Sequence, residues 1–391
     1  MKLSTDRILT THVGSLPRSP ALVDLMRDWQ VARGDPAAFS AAIRSAVAEI
    51  VRKQAKIGLD VVDDGEQSKT GFVSYVSERL AGFEPPKGGT QKSTWAGSRE
   101  ALAFPEFYAE SARSQASNWG RVSTHWVCTG PVSYKGQAEL RRDLDMLRAA
   151  IKDTAVAEAF VPAASPASIA SWQSNAHYAS DEAYEFAIAE AMREEYRAIV
   201  DAGFLLQVDD PQLVTHYVKT PGESLADCRR WAERSVETLN HALGGIPAEK
   251  VRHHTCYGIN MGPRVHDMPM KDIVDIVLKI NAGAYSFEAA NPRHEHEWRI
   301  WQDVKLPEGK ALIPGVISHT TVLVEHPELI AERIVRYAGL VGRERVIAGA
   351  DCGFGTQAAA TPEIHPTIVW AKLAALVEGA RLATSELWGR G

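Results

Sequence analysis

Short apolar runs that break into polar residues recur along the chain, at Ile8–Val13, Leu59–Val62, Glu158–Val161, Phe204–Val208, Val251–Cys256, Ala284–Phe287, Ala311–Ile317 and Arg345–Ala350. Between most of them the apolar positions fall at helical spacing. Phe39–Ile57 is closed by Gly58, and Asp181–Ala202 lies between Ser180 and Gly203. A serine before and a glycine after such a stretch are the residues that cap helix ends. Eight strand candidates alternating with helices predict an α/β fold, a single (β/α)₈ TIM barrel spanning residues 1–391. Side chains that follow a barrel strand stand on its C-terminal rim, where barrel active sites are built.

Residues 82–147 break the alternation. They are rich in Gly, Ser, Trp and Pro and fall between the second and third strand candidates. We read them as an inserted hairpin or lid over the barrel mouth, with Arg121–Tyr134 pairing with Ala101–Tyr108. A lid and a homodimer contact would both suit such an excursion.

The length of 391 residues fits one large barrel as well as two domains. Hydrophobic residues at 45% and charged residues at 24% are ordinary for a globular protein. A net charge of -6 offers no positive excess for a phosphate backbone, so no nucleic acid partner is expected. No run of about 18 apolar residues exists to span a membrane, and the start lacks a signal-peptide pattern. The expected location is cytoplasmic. Four cysteines in so long a chain point to reduced thiols or metal thiolates rather than a disulfide framework.

The sharpest local signal is His254-Thr255-Cys256, ending the fifth strand candidate. Residues i and i+2 on a strand face the same side, so an imidazole and a thiolate can grip one ion. On its own the triplet fits a buried cysteine beside an unrelated histidine better than a metal site. Glu288 ends the next strand and Cys352 ends the last, which would put all four on one rim. Two thiolates, an imidazole and a carboxylate favour Zn²⁺ over Mg²⁺ or Ca²⁺. Zinc there would hold a substrate thiol as thiolate, and a glutamate ligand could give way to it. Hydrolysis by zinc-bound water is the rival, weakened because two thiolates make zinc a poorer Lewis acid.

Further motifs lie in order along nearly the whole chain: Thr10-Thr11-His12-Val13-Gly14-Ser15-Leu16-Pro17-Arg18, Asp64-Gly65-Glu66, Gln207-Val208-Asp209-Asp210-Pro211, His254-Thr255-Cys256-Tyr257, Phe287-Glu288, Pro314-Gly315-Val316 and Asp351-Cys352-Gly353. In content and spacing the chain resembles the catalytic C-terminal barrel of the cobalamin-independent methionine synthase family, and the related epoxyalkane:coenzyme M transferases. The resemblance implies zinc on His254, Cys256, Glu288 and Cys352. It implies homocysteine held by the turn at Gly14 and Ser15 and by the carboxylates of Glu66 and Asp209. Two carboxylates suit an α-ammonium, and backbone N–H groups with a hydroxyl suit an α-carboxylate. It also implies that His319 is the proton-donating histidine, with Asp209 the second choice, and that Trp172 packs against a pterin ring.

The function expected is zinc-dependent transfer of an alkyl group, most simply methyl, to a small-molecule thiol, with homocysteine the favoured acceptor, as in methionine biosynthesis. The sequence leaves the alkyl donor open among a methyl-folate, a methyl-corrinoid protein and a small methylated metabolite, because this length has room for one barrel. One alternative is epoxide opening by a zinc-bound thiol such as coenzyme M, whose sulfonate would need Arg18, Lys69 or Arg293. Another is a non-catalytic zinc-binding barrel. Several features invite a plainer reading. Arg293–Glu297 should open a helix at the surface or in support behind the site, His253 should pack away from the site, Cys128 and Cys228 should be small buried residues, and Glu190–Arg197 should be a solvated helix face.

Overall fold

The computed structural model describes residues 1–30, 34–86, 95–118, 125–258, 262–358 and 364–389. Its strands, in chain order, are β1 (Leu9–Thr10), β2 (Val61–Val62), β3 (Leu80–Glu84), β4 (Val127–Tyr134), β5 (Glu158–Ala164), β6 (Ser174–Asn175), β7 (Leu205–Asp209), β8 (Val251–Thr255), β9 (Ala284–Phe287), β10 (Ala311–Ile317) and β11 (Ile347–Ala350). Eight of them form one parallel sheet in the order β1-β11-β10-β9-β8-β7-β5-β2. The ends of that order meet: Asp60 N donates to Thr10 O at 3.2 Å, and Thr11 Oγ1 donates to Val61 O at 3.0 Å. The sheet thus curls into the expected (β/α)₈ barrel, with helices between its strands.

Local chemistry places the helices where the pattern put them. Asp35 accepts from Ala37 N and Ala38 N at the start of Pro36–Ile57, and Gly58 ends that helix at φ +94°. Ser180 caps Asp181–Asp201 through Ala183 N. Such caps are each worth about 1 kcal/mol. Inside the barrel, Arg252 is fully buried: it donates to Thr11 Oγ1 at 2.9 Å and His12 O at 2.8 Å and lies 4.1 Å from the Phe160 ring centroid.

Between the second and third barrel strands the chain makes the expected excursion, with different internal pairing. β4 pairs antiparallel with β3, joining Leu80 to Tyr134 and Glu84 to Val127, and β6 adds on in parallel. Residues 101–108 are instead largely helical, in Arg99–Ala103 and Pro105–Asn118. Ser98 caps the first of these through Ala101 N, and Pro105 starts the second, so the local sequence favours helix there. Residues 121–124 of the expected hairpin lie outside the described residues. A second difference concerns Glu190–Arg197. Glu195 is buried, accepting from Tyr75 OH at 3.0 Å and Tyr134 OH at 2.8 Å, because the inserted sheet covers that side of the helix.

Among the described residues no helix is long and apolar enough to cross a membrane.

Candidate active site

β8 carries His254 to the rim, and Cys256 follows it. The β8–β9 register sets His254 opposite Ser286, whose Oγ lies 3.0 Å from His254 Nδ1. That contact leaves His254 Nε2 buried without a partner. Cys352, just past β11, brings its Sγ to 3.4 Å from Cys256 Sγ. The ligand atoms of His254, Cys256 and Cys352 all lie within 4.8 Å of one another. The hydrogen bond to Cys256, then burial and the charge of Glu288, push the Cys352 thiol well above its ordinary range. Two buried sulfurs and a bare imidazole nitrogen are a donor set that a thiophilic divalent cation fits, since it would take up both thiolate charges.

Glu288 stands apart from this trio. Its nearest candidate ligands are His319 and Asp351, again within 4.8 Å. Oε1 accepts from Tyr257 N at 2.8 Å; Oε2 accepts from Asn291 Nδ2 at 2.8 Å and pairs with Arg264 Nη2 at 2.8 Å.

A cavity of about 370 Å³, measured with its open mouth, joins the trio to Ser15, Glu66 and Asp209. Gly14 sits at φ +134°, and a Cβ there would stand 2.7 Å from Pro162 Cγ and 3.2 Å from Glu66 Oε1, so only glycine fits. Ser15 Oγ faces Thr356 Oγ1 at 3.5 Å and Gly355 N at 3.4 Å. Glu66 adopts φ +54°, and its Oε2 is buried without a partner. Burial raises the Glu66 pKa, and burial together with the Glu66 charge raises that of Asp209 well above the carboxylate range. A bound ammonium would supply the missing positive charge.

His319 is buried with neither ring nitrogen partnered, and burial lowers its pKa to about 4. It is therefore neutral at pH 7, with one ring N–H to donate in a hydrogen bond and one nitrogen to accept. Trp172 packs edge-on against Phe72, a cavity residue, at 5.8 Å, and its face stacks on His125 of the inserted segment at 5.1 Å.

The structure thus brings His254, Cys256 and Cys352 into the wall of one cavity together with Ser15, Glu66 and Asp209, with Gly14 packed against Glu66. Sequence reasoning gave no role to Ser286, Arg264, Asp351, Phe72 or Thr356. Ser286 was findable, because it sits two residues before Glu288 on the same strand face. His294, expected either at the surface or in support behind the site, is buried between Asp267 and Glu297, at 3.0 and 2.9 Å. Cys128, Cys228 and His253 are buried, as expected.

Fold and site together define a parallel α/β barrel with a sulfur-rich, metal-competent rim beside a carboxylate-lined cavity. The family profile described as "Cobalamin-independent synthase, Catalytic domain" matches residues 8–157 and 137–372. The chain belongs to that family, that of the cobalamin-independent methionine synthases. It is 24% identical to the methionine synthase of Thermococcus kodakarensis, over 98% of this chain and 95% of that protein. It is also 24% identical to the 5-methyltetrahydropteroyltriglutamate–homocysteine methyltransferase of Mycobacterium bovis, over 89% of this chain and 40% of that protein. The solved structure of a B12-independent methionine synthase from Shewanella sp. W3-18-1, in complex with selenomethionine, covers 98% of this chain and 99% of its own. Its TM-score is 0.74 at 20% identity, a likeness of fold.

Proposed function

We propose that this protein transfers a methyl group to the thiol of homocysteine, with zinc on the rim. The observation that carries the reading is the single cavity joining His254, Cys256 and Cys352 to Glu66 and Asp209. An amino acid with a thiol side chain would need both groups. His254 Nε2 and the two sulfurs would hold the metal, and Glu288 lies close enough to Asp351 and His319 to act beside them. Zinc in that position would keep the acceptor thiol ionised at neutral pH.

The chain's own residues account for the rest. Glu66 and Asp209 would take the α-ammonium, and Ser15 Oγ with the nearby backbone N–H groups the α-carboxylate. The acceptor sulfur forms the new S–CH₃ bond as the donor–methyl bond breaks, and the leaving group takes a proton. We assign that proton to His319, which would give it as imidazolium, with Asp209 the second choice. Phe72 and Trp172 would provide an aromatic wall for the donor. Residues 82–147 would form an insertion within a single barrel domain, with His125 closing on Trp172.

Coenzyme M fits less well, because the candidate cations are engaged with backbone carbonyls. Arg18 donates to Gly355 O, Glu66 O and Lys69 O, Lys69 to Pro162 O, and Arg293 to Arg264 O and Val265 O. A sulfonate would instead meet Glu66 and Asp209.

The test is metal content and a zinc-edge absorption spectrum of the purified protein, before and after homocysteine or coenzyme M. About one zinc per chain that gains a sulfur neighbour with homocysteine alone supports the reading. Absence of zinc, or a shell that neither thiol alters, defeats it.

A further inference from the structure

His12 does not line the cavity, yet it lies two residues before Gly14, just past β1, and is 1% exposed. Its Nδ1 accepts from Gly14 N at 3.1 Å. A ring nitrogen that accepts carries no proton, and burial lowers the His12 pKa to about 4, so the neutral ring keeps its one proton on Nε2. That proton goes to Gln54 Oε1 at 2.8 Å; Asp63 Oδ1, itself engaged by Gly65 N at 2.8 Å, is further off at 3.5 Å.

Gln54 carries the connection onward. It is fully buried on the helix Pro36–Ile57 and grips both backbone groups of Asp63: its Nε2 donates to Asp63 O at 2.8 Å, and its Oε1 accepts from Asp63 N at 3.2 Å. Asp63 follows β2 and opens the loop that carries Glu66. One amide and one imidazole thus tie the turn after β1 to the loop after β2. A second tie, from Leu16 N to Gly65 O at 3.1 Å, lies beyond the turn. Between the two ties, Ser15 N has no acceptor among the described residues, and Ser15 and Glu66 both line the cavity.

An α-amino acid presents its carboxylate and its ammonium on one carbon, so a site that reads both must hold its two groups within about 0.5 Å of a fixed separation. Gly14, at φ +134°, is the most freely rotating residue of the turn, and only contacts from outside the turn can fix it. His12 supplies such a contact on one side and Gln54 passes it to the other.

We propose that His12, braced by Gln54, is a positioning residue for the acceptor's amino-acid headgroup: it takes Gly14 N, leaves the Ser15 N–H and hydroxyl to the α-carboxylate, and sets their separation from Glu66, which takes the α-ammonium. The inference rests on the homocysteine reading above and adds to it the two side chains that make the turn a carboxylate site.

The test is calorimetric binding of two thiols to zinc-loaded wild type, His12→Leu and His12→Asn: homocysteine, and its decarboxylated counterpart aminopropanethiol, which keeps the thiol and the ammonium. His12→Leu frees the turn from Gln54, so Kd for homocysteine should rise about tenfold while Kd for aminopropanethiol stays within about twofold. Asparagine accepts from the backbone N–H two residues on, so His12→Asn should recover most of the homocysteine affinity. Equal losses on both thiols in His12→Leu, no loss on either, or a His12→Asn no better than His12→Leu overturns the inference, and homocysteine binding by the wild type then leaves the proposed function standing. A wild type that binds no homocysteine overturns both. If His12→Leu does not fold, a crystal structure of the wild type with homocysteine decides: the carboxylate on Ser15 N with Gly14 N still on His12 supports the inference, and a carboxylate held elsewhere overturns it.

Discussion

Cys256 Sγ and Cys352 Sγ stand 3.4 Å apart although 96 residues separate them. Strands β8 and β11 place the two sulfurs on the rim, while the apolar core lies in the barrel wall and under the helices. Cys352→Ser should therefore reduce bound zinc from about one per chain to near none, and abolish methyl transfer, while the metal-free melting temperature stays within a few degrees of wild type. Metal analysis and thermal melts check this. A large drop in melting temperature on chelating the wild-type metal would mark the ion as structural.

Glu66→Gln removes one of the charges expected to meet the homocysteine ammonium. Losing a hydrogen bond to a charged group costs about 2 kcal/mol, so KM for homocysteine should rise about 30-fold with a smaller fall in kcat. Asp209→Asn should lower kcat as well if Asp209 also supplies the proton. Steady-state kinetics of the two variants separate the roles.

Glu185 gives the fold a pH dependence unrelated to the rim. Burial raises its pKa from 4.5 to about 7, against a lowering hydrogen bond from Ser235 and with help from Asp210. Between those values the native chain holds more protons than the unfolded one, so stability falls as pH rises from 4.5 through about 7, then levels off. The loss is on the order of 3 kcal/mol. Glu185→Gln should remove that slope, which melts at pH 5 and pH 8 would reveal.

Lys372 Nζ lies 2.7 Å from Glu325 Oε2, and Glu325 Oε1 accepts from Ser318 N at 2.8 Å, next to His319. Lys372→Met leaves the part-buried Glu325 carboxylate without its cation, at a cost of about 1–3 kcal/mol. The variant should melt lower and, where still folded, should show reduced kcat with KM for homocysteine near wild type, since the loop carrying His319 loses its anchor.

The barrel was legible because each strand is a short apolar run ending in polar residues, and because Asp35, Gly58 and Ser180 mark helix ends by their own chemistry. The trio was legible for the same reason, as each member lies at or just past the end of a strand. What depends on chain segments meeting in space was not. The pairing of β4 with Leu80–Glu84 rather than with Ala101–Tyr108 turns on a capping serine and a proline. Glu195 carries the sequence signature of a solvated residue, and only the sheet laid over its helix buries it. Arg264 follows a strand by nine residues, and nothing in its surroundings along the chain foretells that it turns back to meet Glu288. The register that gives Ser286 to His254 likewise exists only once β8 and β9 are paired.

Strand β1 pairs with β11, and the Ser15 turn packs against Gly353 and accepts at its carbonyl from Phe354 N. The cavity therefore needs both the earliest and the latest strands of the barrel. A nascent chain still on the ribosome, with residues past Ala350 inside the exit tunnel, presents His254 and Cys256 without Cys352 and lacks the wall that Gly353 and Thr356 provide. Such a chain has two of the three trio residues and no closed pocket, so the cavity takes shape only when the last barrel strand joins the first.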